Sequence, residues 1–127
     1  MTRILVVDDS ATMRRIIRST LNALGYQAVE EAAGGVAALT RIAAGGIDLL
    51  ISDWAMPEMS GLELLRAVRA DAAHAGLPVL MVTGIGEEAD IAEAVTAGVA
   101  GYLIKPFQPE TLAAKVQQIL GGAGVKA

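Results

Sequence analysis

Apolar and polar positions follow two rhythms along the chain. Short runs are apolar almost throughout: Ile4-Leu5-Val6-Val7, Leu49-Leu50-Ile51, Val79-Leu80-Met81-Val82 and Tyr102-Leu103-Ile104, with a weaker one at Gln27-Ala28-Val29-Glu30. Runs without alternation suit strands covered on both faces, as in a parallel sheet. Between them, helical spacing predicts helices near 11–24, 36–44, 61–71, 87–97 and 110–120. In the first, Met13, Ile16, Ile17, Leu21 and Leu24 form the expected apolar stripe. Gly25, Gly45 and Gly98 stand where helices should stop. Ser60 with Glu63 reads as a capping box, and Met59 with Leu64 as its hydrophobic staple. Strand followed by helix, five times over, predicts an α/β doubly wound parallel sheet with right-handed crossovers.

Composition narrows the picture. The 127 residues suit one domain over 1–127, and 54% are hydrophobic, mostly aliphatic. A net charge of −4 offers no broad basic face to nucleic acid or anionic lipid. Without cysteine there is neither a disulfide nor a thiolate metal site. No apolar run reaches the roughly 18 residues of a membrane span. The opening "MTRILVVDDS" has no signal-peptide core. The expectation is a soluble cytoplasmic protein, most simply a monomer, with no membrane or nucleic-acid partner. The tail "GGAGVKA" reads as a flexible end with no second domain after it.

The chemistry gathers where the strands end. The first run ends in Asp8-Asp9, the third leads into Ser52-Asp53, the fourth ends in Thr83-Gly84 and the fifth in Lys105-Pro106. Sites in open α/β sheets form at the carboxyl ends of strands. If strands one, three, four and five are neighbours, three carboxylates, a hydroxyl and an ammonium converge on one rim, with Asp53 at its centre. Clustered carboxylates raise one another's pKa or demand a cation. Lys105 offsets one charge, and Mg²⁺ suits a site of few carboxylates, retained water and a phosphate ligand. Such surroundings favour phosphoryl transfer, with a carboxylate as nucleophile.

Taken singly, each residue has an ordinary reading. Asp8-Asp9 could cap the first helix, Asp53 could form a turn, Thr83 is a common strand residue, and Lys105 could lie along the surface. Tyr102 reads as core, Met56 and Met59 as packing, and His74 as a solvated loop residue. The joint arrangement carries the inference.

The segments "ILVVDDSATMRRII", "DLLISDWAMPEMSGLELLR", "VLMVTG" and "GYLIKPF" span the chain nearly end to end. In them the sequence resembles a response-regulator receiver domain of the stand-alone chemotaxis CheY type. The resemblance implies a five-stranded flavodoxin/CheY-like (βα)5 fold with strand order 2-1-3-4-5. It implies Asp53 as phosphoacceptor for a histidine kinase, and Mg²⁺ or Mn²⁺ held by Asp9, Asp53, the Ala55 carbonyl and Asp8, the last partly through water. Thr83, the Gly84 backbone and Lys105 would contact the phosphoryl group, and a cis peptide before Pro106 would aim Lys105. Thr83 and Tyr102 would form the switch that remodels the face of the fourth helix, fifth strand and fifth helix for a phospho-dependent target, such as a flagellar motor. Side chains two beyond the phosphoacceptor and two beyond the Thr border the hydrolytic water in this family. Here they are Ala55 and Ile85, so slow self-dephosphorylation, with a phosphatase as possible partner, is the expectation.

A signalling phosphoprotein, rather than an enzyme acting on other molecules, is the leading reading. A phosphorelay intermediate or phosphate sink without its own output is the alternative. An aspartate-nucleophile phosphatase wants an acid where Ala55 stands and a cap domain. A flavodoxin-like cofactor binder wants a hydroxyl- and glycine-rich loop where "DDSATM" stands.

Overall fold

The computed structural model of the chain describes residues 2–84 and 88–121, with backbone alone for 88–91. Among the described residues, five strands and five helices alternate: β1 (Arg3–Val7), α1 (Ala11–Ala23), β2 (Ala28–Ala32), α2 (Gly35–Ala43), β3 (Leu49–Asp53), α3 (Gly61–Ala70), β4 (Val79–Gly84), α4 (Glu88–Thr96), β5 (Gly101–Lys105) and α5 (Pro109–Gly121). All strand pairs are parallel, in the order β2-β1-β3-β4-β5. This is the doubly wound α/β sheet expected from the strand runs, in the strand order that the resemblance implied.

Apolar side chains cover both faces, which is why the strand runs do not alternate. Leu5, Val7, Leu50, Val79 and Met81 pack with α2 and α3 through Ala38, Ile42, Leu64, Leu65 and Val68. Ile4, Val6, Leu49, Ile51, Leu80, Val82 and Leu103 pack with α1 and α5 through Ile17, Leu21, Leu112 and Val116. Met56 is buried in the first cluster, with Met59 packed against it.

Local signals act where they stand in the chain. Ser10, rather than Asp8 or Asp9, caps α1 by accepting from the Met13 N–H. The Ser60–Glu63 capping box is complete, with bonds of 3.1 and 2.8 Å. Gly25 and Gly98 take φ of 100° and 94°, left-handed values that suit glycine as a helix stop.

Three expectations need correction. Ile16 is 45% exposed, because Ile17 and Leu21 define the buried stripe and position 16 lies a third of a turn away. β2 runs on past Glu30 to Ala32, since its backbone continues to pair with β1 as far as Val7↔Ala32. His74 is not simply solvated: its Nδ1 lies 3.0 Å from Asp71 Oδ2, holding the Asp71 carboxyl below its usual range.

Candidate functional site

Register determines which side chains meet at the rim. Successive residues of a strand point to opposite faces. Asp8 follows Ile4 and Val6, Asp53 follows Leu49 and Ile51, and Lys105 follows Leu103, all on the face packed by α1 and α5. Thr83 follows Val79 and Met81 on the other face, and pairs across to Ile104 while Met81 pairs to Tyr102. A one-residue slip in β5 would turn Lys105 away from the site and Tyr102 into the core.

The side chains close around Asp53. Lys105 Nζ lies 2.9 Å from Asp53 Oδ1 and 3.5 Å from Asp8 Oδ2. The peptide from Lys105 to Pro106 is cis, as the resemblance implied. Asp8 is 1% exposed and Asp53 7%, whereas Asp9 is exposed. One carboxylate oxygen from each of Asp8, Asp9 and Asp53 lies within 4.8 Å of the others. Asp8 Oδ1 also accepts from the Ser10 N–H at 2.8 Å.

Charge is not balanced here. Burial is the largest influence on the Asp8 carboxyl and raises its pKa, and Asp53 pushes it further up, against the Ser10 N–H and Lys105. Burial works to lower the Lys105 pKa, but the bond to Asp53 and the charges of Asp53 and Asp8 leave it raised. Lys105 therefore stays an ammonium, facing more negative charge than it can neutralise.

The donor set fits a hard divalent cation: three carboxylates, two of them buried, with one ammonium against them. A second feature fits a phosphoryl group. Thr83 Oγ1 is buried without a hydrogen-bond partner among the described residues, although buried hydroxyls are normally paired.

The remaining predicted residues fall around this rim. Ala55 lies exposed on the loop after Asp53, and Gly84 ends β4 beside Lys105 of β5. Tyr102 is 37% exposed, with Lys115 Nζ 5.5 Å from its ring centroid, so it is not core filling. Ile85 lies outside the described residues.

Comparison with known proteins agrees with this fold. Residues 4–117 match the response regulator receiver domain. The chain belongs to that family. It is 47% identical over 120 residues to the chemotaxis protein CheY1 of Helicobacter pylori, covering 94% of this chain and 97% of that one. It is 47% identical over 124 residues to a CheY homologue of Campylobacter jejuni, covering 96% and 95%. The structure of the chemotaxis response regulator CheY4 of Vibrio cholerae superposes with a TM-score of 0.86 at 39% identity, covering 94% of this chain and 98% of that one.

Within this receiver, some residues that shape the rim escape a sequence reading. Gly61 is one. A Cβ there would press on the Asp53 carbonyl and approach Met81 Sδ to 2.8 Å, so glycine lets the start of α3 close over the end of β3. Its N–H donates to the Trp54 carbonyl at 2.7 Å. Ser52, fully buried, donates to the Asp53 carbonyl at 3.0 Å. The glycine after the capping serine is visible in the sequence, but the close approach that requires it is tertiary.

Proposed function

We propose that this receiver is a phosphorylation-dependent signalling switch that takes a phosphoryl group from a histidine kinase onto Asp53. The arrangement that carries this reading is the buried Asp53 carboxylate, with Lys105 at 2.9 Å on one side and, on the next strand, the Thr83 hydroxyl, which has no partner among the described residues. A carboxylate oxygen of Asp53 attacks phosphorus, the bond from phosphorus to the donor nitrogen breaks, and its electron pair stays with the departing imidazole. Lys105 neutralises charge on the phosphoryl oxygens as the donor leaves. Asp8, Asp9, Asp53 and the Ala55 carbonyl would hold Mg²⁺ (or Mn²⁺), which supplies further charge neutralisation when bound.

Thr83 connects this reaction to a surface. Its hydroxyl gains a partner when phosphoryl oxygens arrive, and its partner across the ladder is Ile104, with Tyr102 two pairs earlier opposite Met81. Tyr102 and Ile104 of β5 and Val95 of α4 are 37%, 40% and 59% exposed, large apolar side chains open to a protein target. These exposed positions favour a switch with its own output over a relay intermediate or sink. The relatives named for chemotaxis support that pathway, with the flagellar motor as the class of target. Ala55 offers no hydrogen-bonding side chain to a hydrolytic water, which favours a long-lived phosphoprotein cleared by a phosphatase or by back-transfer.

The test is labelling with acetyl phosphate and Mg²⁺. Wild type should label, and Asp53→Asn should not. Thr83→Val should still label but lose the phospho-dependent change in target binding. Labelling that survives Asp53→Asn would remove Asp53 as the acceptor.

A further inference from the structure

We infer that Arg14 is a positioning residue for the Asp8–Asp9 pair, anchored in that role by Glu31 of the edge strand. The inference rests on the reading of this pair as part of a cation site. β1 stops pairing at Val7, and the Asp8 N–H is then taken by the Ala32 carbonyl at 3.2 Å. The Asp8 carbonyl has left the sheet ladder, and Arg14 Nη1 donates to it at 2.6 Å. That carbonyl belongs to the peptide joining Asp8 to Asp9. Asp9 is exposed, and its carboxylate makes no hydrogen bond among the described residues. The direction from which Asp9 reaches the cluster is therefore inherited from this one peptide plane.

Arg14 is itself held. Its Nε donates to Glu31 Oε1 at 3.0 Å, and its side chain is 17% exposed. Glu31 is steadied by Arg18 Nη1 at 2.5 Å, and Arg18 Nη2 donates to the Val29 carbonyl at 2.9 Å. The guanidinium thus bridges a carbonyl at the rim and a carboxylate on β2, using two donors in a rigid planar fork. Groups of this kind orient the ligands of a metal without touching the metal.

A role in positioning and a role as mere charge predict opposite results. A cation beside the cluster repels Mg²⁺, so if charge alone mattered Arg14→Met would tighten Mg²⁺ binding and Arg14→Lys would leave it unchanged. If the fork holds the peptide, both variants weaken binding, by about tenfold on the scale of such supporting contacts. Glu31→Gln leaves Arg14 in place but loosens its anchor, and should weaken binding in the same direction by a smaller factor.

The experiment is titration with Mg²⁺ alone, read by fluorescence of Trp54, the single tryptophan, which follows Asp53. Wild type, Arg14→Lys, Arg14→Met, Glu31→Gln and Asp9→Ala are compared, with circular dichroism to establish folding. Weaker binding in both Arg14 variants and in Glu31→Gln supports the inference. Unchanged or tighter binding in Arg14→Met overturns it. Should the Arg14 variants fail to fold, Glu31→Gln decides through its salt dependence: weaker binding that persists at high ionic strength supports the relay, and unchanged binding, or a weakening that salt abolishes as for a lost charge alone, overturns it. A wild type without a saturable response removes the cation-site reading itself, and this inference with it. A response abolished by Asp9→Ala but intact in the Arg14 variants sinks the inference alone.

Discussion

The acidic rim and the β2 edge are built from the same chemistry and resolve it in opposite ways. On β2, each glutamate lies between two arginines: Glu30 with Arg41 and Arg3, Glu31 with Arg18 and Arg14. Glu30 falls below its ordinary pKa chiefly through the hydrogen bond to Arg41. Burial works to raise Glu31, but its two arginines outweigh it and leave it lowered. Each carboxylate of this partly exposed cluster is more than compensated, and charged side chains along an edge strand also discourage pairing with another chain. At the rim, among the described residues, three carboxylates share one ammonium, two of them are buried, and Asp8 is pushed up rather than down. A cluster whose carboxylates are compensated contributes to the fold. One short of positive charge is a cost to the fold, and is repaid when a ligand supplies it.

The largest effect should come from removing the ammonium at the rim, the one cation there among the described residues. Lys105→Met leaves Asp53 and Asp8 without their partner in a buried setting. It should cost about 2 kcal/mol without Mg²⁺, less than a fully buried pair because the Lys105 side chain is 28% exposed. Adding Mg²⁺ should recover part of the loss. Urea denaturation with and without Mg²⁺ measures both, and a variant as stable as wild type in EDTA would mean the rim is not short of positive charge.

Next in size is Asp8→Asn, which removes a carboxylate that burial and Asp53 push up. Its folded pKa is raised, so the ionised form opposes folding at neutral pH; that penalty fades as pH falls through the raised folded value and is gone below the ordinary 3.8. The substitution should therefore raise stability by about 1 kcal/mol near pH 7 in EDTA and by little in acid. A loss of stability at pH 7 would place the repulsion elsewhere.

The β2 edge should show the reverse sign and the smallest effect. Glu30 has a lowered folded pKa, so its contribution is in place above the ordinary 4.5 and is lost as pH falls through the lower folded value. Glu30→Gln should cost about 0.5 kcal/mol at pH 7, the scale of a partly exposed ion pair, and nothing in acid. Thermal melts of the two variants across pH should thus run in opposite directions, Asp8→Asn above wild type and Glu30→Gln below, converging on wild type in acid. Parallel curves would erase the distinction between the two clusters.

Much of this molecule is already written along the chain. Apolar runs of strand length, helical stripes between them and glycine stops specify local geometry, because burial on two faces and left-handed φ are demands on individual residues. The capping box before α3 is likewise a matter of neighbours a few residues apart. For the same reason Asp8, Asp9, Asp53, Thr83 and Lys105 stand out: each ends a run, and the ends of parallel strands share one edge of the sheet.

Tertiary structure alone decided the rest. Which carboxylate burial pushes up depends on how the rim closes and where Lys105 reaches, and Asp8 is 1% exposed there. Whether Thr83 Oγ1 has a partner is a property of everything packed around it. Tyr102 reads as an ordinary core residue by itself, yet register places it outward under Lys115. Arg14 is one basic residue among several on α1 until the fold brings the Asp8 carbonyl to one end of its guanidinium and Glu31 to the other. Contacts between residues 17 apart, or 97 apart as for Lys105 and Asp8, leave no periodicity in the chain. They exist only once the sheet has set its register.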